Sequence, residues 1–146
     1  MILSKFQERL SELMFDGEFT ATTLGEKIGT GRVTVNRYLS GARYPTVEYL
    51  IKIADCFECT TDYLLGLTDE NEKRVFSSPA AFGERFIDLC KRFGKTRYEV
   101  QKATGISSSC IYSWQKSPYF PSLDNILRLS DFFGCSVDHV IGRTRD

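Results

Sequence analysis

The chain has 146 residues, of which 42% are hydrophobic and 13% aromatic, and its 19 basic residues balance 19 acidic ones. This length fits one domain of ordinary size or two small ones, and the apolar fraction is too high for a disordered chain. We expect no membrane-spanning segment, because no run approaches the roughly 20 apolar residues that one needs, and zero net charge excludes a uniformly cationic surface but not a local basic face.

The first two helices are predicted by apolar spacing and by capping residues. The second helix begins after Thr20, a good N-cap residue, and ends at Gly29, the residue type that tolerates a left-handed helix end. Ala21 and Gly25 occupy this helix, and Gly25 is expected to cost about 1 kcal/mol of helix propensity relative to alanine. The first helix has its apolar residues at the i, i+4, i+7, i+8 spacing of an amphipathic face: Phe6, Leu10, Leu13 and Met14.

Three more helices follow in the same stretch. The third begins only two residues after Gly29 and has Val35 and Tyr38 facing inward. Pro45 sets the start of the fourth, and a short last helix runs from Thr60 to Gly66. The apolar face of the fourth helix is predicted to comprise Val47, Leu50, Ile51, Ala54 and Phe57.

An internal repeat then organises the whole chain. Shifting the sequence by 76 residues pairs 6–70 with 82–146 without a gap. We therefore predict an all-α fold of two tandem five-helix domains, at 1–68 and 79–146, joined by a polar linker at 69–78. The identical pairs are Phe6/Phe82, Glu8/Glu84, Arg9/Arg85, Leu13/Leu89, Thr20/Thr96, Gly29/Gly105, Pro45/Pro121, Asp55/Asp131, Phe57/Phe133, Cys59/Cys135, Asp62/Asp138, Gly66/Gly142 and Thr68/Thr144.

The segment from Thr20 to Pro45 resembles the helix-turn-helix of the Cro/C1-type (phage-repressor-like, XRE) DNA-binding domains. It has a Thr cap, a turn glycine, an apolar-x-x-aromatic third helix and a Gly-x-x-x-Pro loop, and Phe57 to Gly66 resembles the family's closing motif. The second copy carries the same pattern in a divergent form. The resemblance implies two lambda-repressor-like domains and a sequence-specific, repressor-like transcriptional regulator that binds double-stranded DNA.

The third helix of the first copy is the predicted reader of base sequence. With Val35 and Tyr38 docked inward, the residues expected to face the major groove are Arg32, Val33, Asn36 and Arg37. Arginine can bind guanine and asparagine adenine with two hydrogen bonds each, and valine can contact the thymine methyl group. Thr34 and Arg43, at the helix flank and in the following loop, suit phosphate contacts.

The second copy offers a different set of candidate DNA contacts. Its third helix exposes hydroxyl groups in place of arginine and asparagine, and serine discriminates poorly between bases. The residues assigned to DNA contact are Ser107, Ser108, Ser109, Tyr112 and Ser113, with Lys95, Arg97 and Lys116 as basic neighbours. Two interpretations stay open: a less discriminating DNA-binding domain, or a partner-binding domain with an apolar patch at Tyr119 and Phe120.

The remaining chemistry-bearing residues indicate no enzyme, metal or cofactor. Five cysteines at irregular spacing do not form a secreted disulfide pattern, which favours a reducing cytoplasm. Cys56 and Cys59 form a C-x-x-C, but no second pair or histidine cluster follows to complete a zinc site. We expect no cofactor and no catalytic group.

The alternative to a DNA-binding regulator is a protein-interaction regulator, such as an antirepressor or an assembly module. Two linked copies could act as a pseudo-dimer on two half-sites, or the chain as a homodimer. Whether a small-molecule effector binds is left open by the sequence.

Overall fold

The computed structural model describes residues 4–72 and 76–144, with only the backbone of Ser4, and the chain divides into two units, 1–75 and 76–146. Within those residues every regular element is a helix, and there is no strand. No helix in this part of the chain is long and apolar enough to cross a membrane. The all-α prediction is thereby confirmed.

Five helices are described in the first unit, and their ends follow the predicted signals. Gly29 and Gly41 adopt left-handed conformations (φ 85° and 80°) that close the second and third helices. Thr46 and Thr60 accept backbone hydrogen bonds that start the fourth and fifth. The helices are α1 (Ser4–Asp16), α2 (Ala21–Ile28), α3 (Arg32–Ser40), α4 (Val47–Cys56) and α5 (Thr61–Leu64).

The core of the first unit differs from the predicted apolar face of α4 at two residues. On α4, Ile53 is fully buried, although the predicted stripe left it out. Phe57, placed in that stripe, caps the end of α4 and is half-buried against Phe19, with ring centroids 5.3 Å apart. A helix enclosed by neighbours on two sides buries more than one stripe, which explains the difference. The predicted face of α1 is confirmed at Phe6, Leu10 and Met14, whereas Leu13, predicted with them, is half-buried.

The second unit has helices at positions that repeat those of the first. Thr96 and Glu99 form a capping box at its second helix, and Gly105 closes that helix in a left-handed conformation. Its third helix has six residues where the first unit has nine. The helices are α6 (Phe82–Phe93), α7 (Arg97–Thr104), α8 (Ser108–Ser113), α9 (Leu123–Phe133) and α10 (Val137–Ile141).

An aromatic cluster lies at the centre of the second unit. The Trp114 ring meets Phe82 and Phe86 edge-on, at centroid distances of 5.4 and 5.2 Å. Phe120 lies 6.0 Å from Phe82 and is half-buried. Edge-to-face rings of this kind add to the free energy of simple area burial.

A glycine lies where the first and third helices of each unit meet, but on opposite partners. In the first unit it is Gly41, at the end of α3, which has a φ of +80° and lies against the movable amide end of the Gln7 side chain. In the second unit it is Gly83, on α6, where a Cβ would lie 2.8 Å from the Trp114 carbonyl oxygen. Residue 83 is the repeat partner of residue 7.

A repeated arginine ties the first helix of each unit to its last helix. Arg9 donates hydrogen bonds to the carbonyl oxygens of Tyr63 and Thr68, and Arg85 to that of His139, the repeat partner of Tyr63. The carbonyls of Tyr63 and His139 lie in the last turns of α5 and α10, and that of Thr68 lies in the segment that follows α5. In each unit the arginine also forms a 2.7 Å ion pair, Arg9 with Asp69 and Arg85 with Asp88, so it acts both as a cap and as an ion-pair partner.

Both ends of the polar segment 69–78 contact the unit beside them. Asp69 forms a 2.7 Å ion pair with Arg9 of the first unit. The Ser77 backbone nitrogen donates to the Arg143 carbonyl in the second unit, where the Arg143 guanidinium lies 3.9 Å from the Phe76 ring centroid. Arg143 also forms a buried 2.6 Å ion pair with Asp138.

Candidate nucleic-acid interface

The segment α2–turn–α3 of the first unit is set by local hydrogen bonds. The Thr23 nitrogen donates to the Thr20 hydroxyl at 3.1 Å, and the Thr20 nitrogen donates to the Thr23 hydroxyl at 2.8 Å. This reciprocal cap does the work of a capping box with threonine in place of the usual glutamate. At the other end, the Gly25 carbonyl accepts from the nitrogens of Gly29 and Thr30, at 2.9 and 2.8 Å.

A steric constraint, which helix propensity does not show, explains why residue 25 is a glycine. A Cβ at this position would lie 2.7 Å from the Thr30 carbonyl oxygen and 3.1 Å from the Gly31 carbonyl carbon, both fixed backbone atoms. The turn between α2 and α3 therefore passes directly over Gly25. The expectation that this glycine simply weakens α2 is incomplete, because it also permits the tight turn.

The inner face of α3 docks on the unit as predicted. Val35 and Tyr38 are buried, and the Tyr38 ring meets Phe6 edge-on at 6.4 Å. Burial raises the pKa of the Tyr38 phenol above 10.0, and the nearby Arg43 charge opposes the rise. The phenol is accordingly neutral near pH 7.

The outer face of α3 carries the predicted base-reading residues. Arg32, Asn36 and Arg37 are exposed, and Val33 is 58% exposed. Thr34 is half-buried beside them.

This face is also locally basic. The run from Lys27 to Arg43 contains four basic residues and no acidic one, and all four are exposed. The Arg43 nitrogen donates to the Arg37 carbonyl at 3.3 Å, which holds the following loop close to the end of α3. An α-helix with hydrogen-bond donors and an apolar contact on its outer side can enter a major groove about 12 Å wide.

In the second unit, most of the predicted contacts gather around one concave surface of about 450 Å³. We call this surface the hydroxyl face; it is lined by Ser108, Ser109, Tyr112, Ser113 and Lys116. Tyr112 is 60% exposed there.

Three of the predicted serines are partly engaged inside the unit. The Ser107 hydroxyl caps α8 by accepting from the Cys110 nitrogen at 3.2 Å, and it lies 3.3 Å from the Ser109 hydroxyl. The Ser113 hydroxyl donates to the Cys110 carbonyl. Sequence alone could not separate these structural hydrogen bonds from outward-facing ones.

Lys95 and Arg97 lie at the junction of α6 and α7. They line a cleft of about 350 Å³ whose walls include Phe86, Ile87 and Cys90. The Arg97 guanidinium also lies 5.3 Å from the Tyr112 ring centroid, so it reaches the hydroxyl face. This contact joins residues 15 apart in the chain and was not predicted.

The two aromatic residues of the predicted apolar patch, Tyr119 and Phe120, differ in their exposure. Tyr119 is 68% exposed, whereas Phe120 turns inward to Phe82. The proposed apolar patch at this loop is therefore reduced to one exposed ring.

The cysteines of the C-x-x-C occupy different environments. Cys59 is fully buried, and Cys56 is half-buried. Burial raises the pKa of the Cys56 thiol above 9.0, against the opposing charge of Lys27. Across residues 4–72 and 76–144, no group of three or more His, Cys, Asp or Glu side chains could hold a metal ion.

Comparison with known proteins identifies the first-unit motif. Residues 18–64, which contain α2 and α3, match the family model described as helix-turn-helix. No solved structure matches the chain significantly.

Three relatives are transcriptional regulators by name. The cryptic phage CTXphi transcriptional repressor RstR of Vibrio cholerae is 37% identical over 71 residues, which cover 47% of this chain and 63% of that protein. The uncharacterized HTH-type transcriptional regulator YobD of Bacillus subtilis is 31% identical over 68 residues, 47% of this chain and 61% of its own. The HTH-type transcriptional regulator AnsR of the same organism is 34% identical over 74 residues, 51% and 60% respectively. The chain thus spans less than two thirds of the length of these relatives.

Proposed function

We propose that the chain is a sequence-specific, repressor-like transcriptional regulator whose α3 reads the major groove of DNA. The observation that carries the proposal is the two-sided nature of α3, which buries Val35 and Tyr38 and exposes Arg32, Asn36 and Arg37. The helix-turn-helix match and the names of the relatives support it. These names describe regulators, and on that basis we propose a non-enzymatic, cytoplasmic role.

The dimensions of α3 suit this role. Its nine residues span roughly 14 Å at 1.5 Å per residue, which is the length of about four base-pair steps. Arg32 and Arg37 supply donors for guanine, Asn36 a donor and an acceptor for adenine, and Val33 an apolar contact for thymine. We assign Thr34 and Arg43 to the phosphates beside the groove.

We further propose that the second unit is a divergent domain of the same kind. Its helices follow the order of the first unit, and α7 begins and ends 76 residues after α2. The domains are then 1–68 and 79–146, with the segment 69–78 as linker. This arrangement would let the chain act as a pseudo-dimer on two half-sites without a second copy, although a homodimer is equally compatible with half-site reading.

The second candidate function is a regulator whose second unit binds a protein. The exposed Tyr119 ring favours it, since a large aromatic is a frequent anchor at interfaces. The inward packing of Phe120 disfavours it, because it removes half of the expected patch.

Selection of bound duplexes from a random pool by the full chain tests the proposal. We expect a motif whose strongest positions weaken when both Arg32 and Arg37 are replaced with alanine. A pool that shows no enriched sequence would contradict sequence-specific binding. A motif that the double variant enriches equally well would exclude α3 as its reader.

A further inference from the structure

We infer that the second unit holds the phosphate backbone of duplex DNA without selecting a sequence, through its hydroxyl face and Arg97. The inference rests on the proposed function, because it requires the first unit to supply the base reading. It assigns the two units different tasks on the same DNA: the first reads bases and the second holds the backbone. Of the two arrangements proposed above, a second half-site read by base contacts then requires the homodimer.

The first support is the chemistry of the hydroxyl face. Four of its five lining residues carry a hydroxyl group, the fifth is Lys116, and none is acidic. The Ser113 hydroxyl hydrogen is bound to the Cys110 carbonyl, but Ser108 and Tyr112 have exposed hydroxyls that can donate. Neutral donors around an ammonium group favour an anionic oxygen such as that of a phosphodiester.

The second support is the position of Arg97. Its guanidinium lies 5.3 Å from the Tyr112 ring centroid, and a cation near a ring face is attracted to it. The contact brings a second positive charge from α7 to the edge of the hydroxyl face. Two cations on separate segments, Arg97 on α7 and Lys116 in the turn after α8, can contact successive phosphates of a strand, whereas one lysine alone contacts one.

The third support is that the second unit lacks the base-reading side chains of the first unit. Ser108, Tyr112 and Ser113 stand where the first unit has Arg32, Asn36 and Arg37. A serine hydroxyl both donates and accepts, so it can satisfy many base edges and discriminates poorly among them. The reading helix is also shortened, to six residues. These changes remove base selection and leave hydroxyl groups that can contact phosphate.

The test compares three variants of the full chain on two duplexes of equal length, the selected site and an unrelated sequence. Lys116→Gln and Arg97→Gln each remove one charge, and Tyr112→Phe removes one hydroxyl but keeps the ring. Lys102→Gln is the matched control, because Lys102 is an exposed cation of the same unit that lies beside Tyr98 and outside the hydroxyl face. Binding is measured by fluorescence anisotropy over a range of salt concentrations.

We expect Lys116→Gln and Arg97→Gln each to lower affinity by the same factor on both duplexes. Each should also reduce the log–log salt slope by about 0.9, the value for one phosphate contact. Tyr112→Phe should lower affinity equally on both duplexes without changing the slope, and Lys102→Gln should leave both unchanged.

Several outcomes would overturn the inference while leaving the proposed function intact. The first is wild-type binding to the selected site with no effect of Lys116→Gln or Arg97→Gln. The second is a loss confined to the selected duplex, which would make the hydroxyl face a base reader. The third is tighter binding of the wild-type chain to a single strand of the same sequence, which would indicate stacking on exposed tyrosines. If the wild-type chain has no preferred duplex, the proposed function itself fails.

Discussion

Arg32 and Arg37 are exposed side chains whose loss should be visible in binding but not in folding. Replacing either with alanine should cost about 1–3 kcal/mol on the preferred site and relax the base preference at one or two positions. The reason is the loss of a two-pronged hydrogen bond to a base edge. Anisotropy titrations and repeated selection measure both effects.

A suitable control for these variants is Lys52→Ala. Lys52 is an exposed cation of the same unit on α4, outside the basic run. It should weaken binding far less than either arginine variant and leave the base preference unchanged. Unchanged profiles in both arginine variants would contradict the assignment of α3 as reader.

Cys56 and Cys59, the cysteines of the C-x-x-C, should be reduced and metal-free, and the thiols of Cys56 and of Cys90 on α6 should be slow to react. Burial raises the pKa of Cys56 and of Cys90, so less thiolate is present at a given pH in the folded chain than in the unfolded chain. Alkylation of both at pH 8 should therefore be slower in native protein than in denaturant, and should speed up as the pH rises. Mass spectrometry of the labelled peptides measures this. Stoichiometric zinc in untagged protein by elemental analysis would contradict the structural role of Cys56 and Cys59.

Among the elements, α2 gives the clearest conflict between helix propensity and packing. Propensity favours Gly25→Ala by about 1 kcal/mol, but the added Cβ would meet the Thr30 carbonyl oxygen at 2.7 Å. We expect the variant to be destabilised by about 1–3 kcal/mol, the usual cost of overpacking against atoms that cannot move aside. Urea unfolding measures it.

Thr22→Ala is the matched substitution on the same helix. Thr22 is exposed, so its replacement should be neutral or slightly stabilising. A Gly25→Ala variant as stable as Thr22→Ala would show that the turn relaxes freely and that Gly25 is not required by packing.

Helix starts and ends were predictable because they depend on neighbours in sequence. Thr20, Thr96 and Gly29 act within one turn of their own position, and all three behave as expected. The burial of Ile53 and the inward turn of Phe120 were not predictable, because each depends on a helix distant in sequence. The early end of α8 was not predictable either, because none of its residues is a helix-ending signal.

The candidate site shows the same division. Exposure of Arg32, Asn36 and Arg37 follows from helix period alone, once Val35 and Tyr38 are known to be buried. The contact of Arg97 with Tyr112 depends on the rotamers of two long side chains on different helices. The sequence therefore predicts which residues face outward but not which of them meet.

At the scale of the whole molecule, binding should depend strongly on salt even though the chain has no net charge. The segment from Lys27 to Arg43, which includes α3, has four exposed basic residues and no acidic one. This is the segment that DNA would contact. Each phosphate that it neutralises releases counterion and contributes about −0.9 to the log–log salt slope. Titrations of the full chain on its best site between low and moderate salt measure the slope. A slope near zero would contradict DNA binding altogether.

The exchanged glycines mean that the two halves, although repeats, do not have interchangeable parts. A chimera that carried α1 in place of α6 would put Gln7 where Gly83 sits, with its Cβ 2.8 Å from the Trp114 carbonyl oxygen. The reverse graft would replace Gln7 with glycine and only remove a side chain whose amide lies against Gly41. The steric barrier is therefore one-sided, because Gly83 accommodates fixed backbone atoms of Trp114 and Gln115. A chimera with α1 in place of α6 should lose more stability than the reverse graft.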